Sequence, residues 1–153
     1  MRDRAYILDT SVVAEYLDVD SPYGEMIEEF YEKLGRGEVE GYLTTATLGE
    51  ILYVSSRIYR EAGSDSPNED AMRLIQWLMN HPHIRVVDLT PEICLRAGEL
   101  RKEMHISLMD CLVIAAGEAM GVKSLFLKPE REFEKYMERL EEHGVRFLTE
   151  LRG

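Results

Sequence analysis

The chain has 153 residues, 45% of them apolar and 31% charged, with a net charge of −11. That length fits one domain with a substantial core, and no apolar run approaches the roughly 18 residues a membrane span requires. Such an acid surplus argues against holding nucleic acid by diffuse phosphate contacts, which need a basic surface. A polyanionic substrate would require a local basic patch, a metal ion, or both.

Residues 4–8 read as a strand, with the apolar run Ala5-Tyr6-Ile7-Leu8 closed by Asp9. Thr10-Ser11 and a further apolar stretch follow at once, so Asp9 marks a strand-to-helix junction. Met1-Arg2-Asp3-Arg4 enters the strand with no signal-peptide core, which predicts a cytoplasmic protein. Ser21-Pro22 predicts the cap and first residue of a helix. That helix carries Met26, Ile27, Phe30, Tyr31 and Leu34 and stops near Gly35 and Gly37. Residues 41–45 form a second strand candidate. From about Thr47 a helix places Leu48, Ile51, Leu52, Ser55, Ile58 and Tyr59 on one face.

Residues 63–67 read as a loop, and Ser66-Pro67 opens a helix ending near His81-Pro82. Residues 84–87 are a third strand. Thr90-Pro91 opens a helix to about Met104, and Ser107 opens another to Met120. Residues 124–127 are a fourth strand, 130–142 an amphipathic helix and 145–148 a fifth strand. Cys94 and Cys111 both fall in apolar helical patterns and are read as buried, reduced thiols. Short strands separated by helices predict a single α/β domain over residues 1–153. Its core is a five-stranded parallel sheet with helices on both faces.

Topology then gathers acids. In a strand–helix–strand unit the helix begins at the carboxyl edge of the sheet, where open α/β sheets bind ligands. Asp9 closes the first strand, Glu50 and Asp110 lie near the starts of two helices, and Glu130 follows the fourth strand. Each also has a structural explanation. Thr47-Leu48-Gly49-Glu50 and Ser107-Leu108-Met109-Asp110 match the capping box, as does Ser66-Pro67-Asn68-Glu69. Asp110 stands apart because its helix is apolar nearly all round and carries no Lys or Arg, and a buried acid needs a partner. Four converging carboxylates without matching bases would need a cation, and an all-oxygen set suits Mg²⁺ or Mn²⁺.

Three segments carry a resemblance. Ile7-Leu8-Asp9-Thr10-Ser11, Thr47-Leu48-Gly49-Glu50-Ile51-Leu52 and the run from Ser107-Leu108-Met109-Asp110 through Ala116 resemble the three motif blocks of the PIN-domain family. They are most similar to VapC-like ribonuclease toxins of prokaryotic toxin–antitoxin pairs, and the similarity covers nearly the whole chain. The resemblance implies Mg²⁺- or Mn²⁺-dependent RNA cleavage, frequent homodimers and inhibition by a bound, VapB-like antitoxin. It implies Asp9, Glu50 and Asp110 as the first three acids and Ser11 as a hydroxyl near the metal. The fourth block departs from the pattern: aligning on Phe133 puts Glu130 at the fourth acid, with Glu132 as the fallback and Lys128 at a position the family gives to a hydroxyl.

Arg57, Lys128 and Arg131 are the candidate phosphate contacts, while His105 sits two residues before the helix that bears Asp110. Two other readings stand beside the nuclease. One is a phosphatase-like domain using Asp9 as phosphate acceptor, although Ser11 occupies the place where that pattern expects an acid. The other is a catalytically silent binding module that keeps the fold as an interaction surface.

Overall fold

Five strands build one parallel sheet: β1 (Arg2–Leu8), β2 (Glu40–Thr44), β3 (Ile84–Val87), β4 (Val122–Phe126) and β5 (Val145–Phe147). Their order across the sheet is β3-β2-β1-β4-β5. The computed structural model describes residues 2–151; Met1 and residues 152–153 of the expected 1–153 domain lie outside the described residues. Helices α1 (Thr10–Tyr16) and α2 (Gly24–Gly35) link β1 to β2, and α3 (Thr45–Glu61) and α4 (Pro67–Met79) link β2 to β3. Helices α5 (Pro91–Glu103) and α6 (Leu108–Met120) cross back to β4, and α7 (Met137–Glu142) precedes β5. Among the described residues no helix is long and apolar enough to cross a membrane.

Alternation along the strands divides the core. Ala5 and Ile7 of β1 face a cluster with Ile93, Leu100, Ile114, Phe126, Phe133 and Phe147, drawn from α5, α6 and the C-terminal elements. Leu8 faces the opposite cluster, with Val12, Phe30, Leu34, Ile51, Leu78 and Leu125. The sheet is therefore covered on both faces, as the near-continuous apolar strands require. Helix α6 packs tightly on it: a Cβ at Gly117 would sit 2.9 Å from the Val122 carbonyl oxygen. The helix ends at Gly121, whose φ of 68° is the left-handed conformation a glycine adopts without steric penalty.

Local signals misplaced several boundaries. Helix α2 starts at Gly24, because Ser21 and Pro22 form a turn in which Ser21 Oγ accepts the Tyr23 N–H (2.9 Å). Helix α3 starts at Thr45, capped by Thr44, whose hydroxyl accepts the Thr47 N–H (3.1 Å). Helix α4 does start at Pro67 as expected, but Ser66 makes no side-chain cap bond, its own N–H being held by Ser64 Oγ. The helix expected over residues 130–142 divides into a 3₁₀ segment (Arg131–Tyr136) and α7. Both thiols are free, but only Cys111 is buried. Cys94 is exposed because the buried stripe of α5 runs through Ile93, Ala97 and Leu100.

Candidate active site

The chain builds outward from β1 to β2 and β3, then returns across the sheet to place β4 on the other side of β1. The crevice at the carboxyl ends of β1 and β4 is therefore the topological switch point, where such sheets bind ligands. Asp9 sits in it. Its N–H donates to the Leu125 carbonyl of β4 (2.9 Å), and its side chain caps α1 by accepting the Ser11 N–H at Oδ2 (3.0 Å). Ser11 Oγ accepts the Leu127 N–H (3.1 Å), and its hydroxyl also hydrogen-bonds Asp9. Ser11 thus ties the end of β4 to the first turn of α1 while steadying the first acid.

With α3 capped by Thr44, Glu50 falls in the second helical turn rather than at the capping-box position. Its carboxylate instead accepts a hydrogen bond from the hydroxyl of Thr10. Asp110 does belong to a cap, since its N–H donates to Ser107 Oγ (3.1 Å) at the start of α6. Three elements distant in sequence thus converge on one crevice.

Their electrostatics record that convergence. Burial raises the Asp9 carboxyl above its ordinary value, the hydrogen bonds from Ser11 and Thr10 oppose this, and the charge of Glu50 adds to it. Asp110 is pushed up to about 7, first by burial and then by the charge of Asp9, with smaller contributions from Glu50 and Glu132; a hydrogen bond from Ser107 works the other way. The groups that shift these two acids are other acids and neutral donors; no Lys or Arg is among them.

The crowding is looser than the sequence reading expected. Among the described residues no three acidic, His or Cys side chains stand close enough together to hold a metal ion as they lie. Like charges repel, and the Thr10 hydroxyl draws the Glu50 carboxylate to itself. The donor chemistry nonetheless fits a hard divalent cation: the oxygens are carboxylate, and burial and mutual repulsion oppose an ionisation that such a cation favours.

Of the two fourth-acid candidates, Glu132 is the one whose charge reaches Asp110. Glu130 is exposed, and its carbonyl accepts the Phe133 N–H (2.9 Å) at the head of the 3₁₀ segment. Phe133 is buried against the rings of Phe126 and Phe147, which anchors that segment beside the crevice. Lys128 places its ammonium over the ring of Tyr23 (5.7 Å), and Arg57 lies over Tyr53 on α3 (5.5 Å). Arg131 and His105 are exposed, and the His105 backbone N–H donates to the Tyr136 hydroxyl (3.3 Å). Thr10 escaped the sequence reading, its only signal being its place between Asp9 and Ser11.

A model of the PIN domain family matches residues 6–137 of the chain. The chain belongs to the PIN domain family. Over 119 residues it is 25% identical to a VapC ribonuclease of Aquifex aeolicus (strain VF5), spanning 78% of this chain and 83% of that protein. In fold this PIN domain is similar to VapBC2 from Rickettsia felis, solved bound to a DNA fragment from their promoter. The TM-score is 0.65 at 16% identity, covering 94% of this chain and 98% of that one. It is also similar to VapC20 of Mycobacterium tuberculosis, described as a sarcin-ricin loop cleaving toxin, with a TM-score of 0.62 at 14% identity over 86% and 95% of the two chains. At such identities the structural likeness speaks to fold, and the crevice built by the PIN topology is the one that holds Asp9, Glu50 and Asp110.

Proposed function

We propose that this PIN domain is a cytoplasmic, divalent-metal-dependent endoribonuclease and the toxin of a toxin–antitoxin pair. The observation that carries the reading is the mutual field of Asp9, Glu50 and Asp110 at the switch point, with Asp110 raised to about 7 by burial and its acidic neighbours. The likeness to a VapC ribonuclease supports RNA as substrate. The fold shared with VapBC2 supports a VapB-like antitoxin as partner, and a second copy of the chain is proposed beside it.

Asp9 and Asp110 would hold Mg²⁺ or Mn²⁺ most directly, with Glu50 and Glu132 further out; Glu132 takes the place first given to Glu130. When bound, the ion supplies an activated water and neutralises charge on the phosphate that is attacked. The rest falls to the chain. Ser11 and Thr10 keep Asp9 oriented through hydrogen bonds, and Ser107 keeps Asp110 at the mouth of α6. Lys128, Arg57 and Arg131 supply the local positive charge that a polyanion needs on a surface of net charge −11.

Cleavage of an RNA panel tests this. The unaltered protein should cut with Mg²⁺ or Mn²⁺ and stop in chelator, and Asp110→Asn should be inactive; equal cleavage by both proteins would reject the assignment. The silent-module reading is favoured by the spacing of the acids, since among the described residues no three lie within metal-holding reach. Calorimetric titration separates the two, because a silent module would bind neither ion at millimolar concentration.

A further inference from the structure

We propose that Thr10 is a positioning residue of this site, setting the carboxylate of Glu50 relative to that of Asp9 for the ion they share. The inference rests on the metal-dependent reading above. Thr10 is 5% exposed and is the first residue of α1. Its hydroxyl donates to Glu50 across forty positions of sequence, and its backbone N–H hydrogen-bonds the Asp9 carboxylate. One residue therefore contacts two acids from different elements through two different donors.

The geometry is rigid on one side only. A β-branched side chain in a helix has few rotamers, and burial removes solvent as a competing partner, so the direction of the Thr10 hydroxyl is set by α1 itself. Glu50 has three side-chain torsions and is only half-buried on α3, so ordering it alone is entropically unfavourable. A hydroxyl bonded to a carboxylate is a charge-assisted contact, and it supplies that order before an ion arrives. Mg²⁺ demands near-ideal octahedral geometry, so the angle between the two acids matters.

The test compares Thr10→Val, which keeps the shape and removes the hydroxyl, with Thr10→Ser, which keeps the hydroxyl. The readouts are Mn²⁺ affinity by calorimetry, and kcat and KM on RNA. Thr10→Val should weaken Mn²⁺ binding about tenfold, the usual scale for a lost hydrogen bond to a charged group. It should lower kcat while leaving KM for RNA unchanged, and Thr10→Ser should restore both. In a Glu50→Ala background, which has no side-chain acceptor for the Thr10 hydroxyl, the same Thr10→Val change should cost nothing further, because its effect runs through Glu50. Should Thr10→Val not fold, Thr10→Ala against Thr10→Ser makes the same comparison. Wild-type affinity and kcat in the hydroxyl-free variant would overturn the role of Thr10 alone. An unaltered protein that binds no Mn²⁺ and cuts no RNA would overturn this role and the nuclease reading together.

Discussion

Replacing Asp110 by asparagine should abolish cleavage and yet stabilise the metal-free protein at alkaline pH. The Asp110 carboxyl stands at about 7 in the folded chain against an ordinary value of 3.8. At 1.36 kcal/mol for each tenfold change in proton affinity, that difference corresponds to about 4 kcal/mol. Asp110 is partly open to solvent, so screening reduces the usable figure to about 2 kcal/mol. The sign follows from proton counting. Between the ordinary value and about 7 the folded state holds a proton that the unfolded state has released, so stability falls as pH rises through this window. The contribution is fully present below the ordinary value and lost above about 7. Asparagine keeps the shape without the charge, so thermal melting in chelator should show a flatter pH profile. At about pH 8 the melting temperature should exceed that of the unaltered protein by on the order of 5 °C, at about 2–4 °C per kcal/mol for a chain of this size. Below the ordinary value of 3.8, where Asp110 carries its proton in the folded and the unfolded chain alike, the two should melt together. If Asp110→Asn melts lower at alkaline pH, or keeps the original pH slope, the charged crevice is not strained as argued.

Three further outcomes follow from the same geometry. Metal affinity should strengthen as pH rises towards about 7 and level off above it, because the ion competes with the proton on Asp110; calorimetry across that range checks it, and a flat profile would remove Asp110 from the binding set. Lys128→Ala should weaken RNA cleavage and flatten its salt dependence more than Arg73→Ala, since Arg73 is paired with Asp70 on α4 whereas Lys128 follows Leu127, whose N–H is held by Ser11; equal effects would exclude Lys128 from the grip. Glu132→Gln should impair Mn²⁺ binding more than Glu130→Gln, because only Glu132 adds to the field on Asp110; the reverse ranking would restore Glu130 as fourth acid.

Much of the fold was legible because strand and helix periodicities are local properties. The five strands fall within two residues of their expected positions, and the succession of short strands and helices already implied a sheet covered on both faces. Caps were less legible. Ser21-Pro22 and Thr47 carry the right residue types for helix starts, but the chain turns once more at the first and has already entered the helix at the second. Residue type limits which hydrogen bond can form, while backbone direction decides which one does. Cys94 shows the same limit, since one helix position separates the buried stripe from solvent.

From order and chemistry alone, the sequence determined an α/β domain with acids at the carboxyl edge of its sheet and singled out Asp9, Glu50 and Asp110 as candidates for its site. Only the tertiary structure decided how those acids relate: that Thr10 serves Glu50, that Ser11 serves both Asp9 and β4, and that Glu132 rather than Glu130 acts on Asp110. The physical reason is range. Periodicity and capping act over a few residues and can be read along the chain. The long-range charge and hydrogen-bond partners here join positions from 22 (Asp110 and Glu132) to 116 residues apart, and only the packing of helices on the sheet brings them within reach.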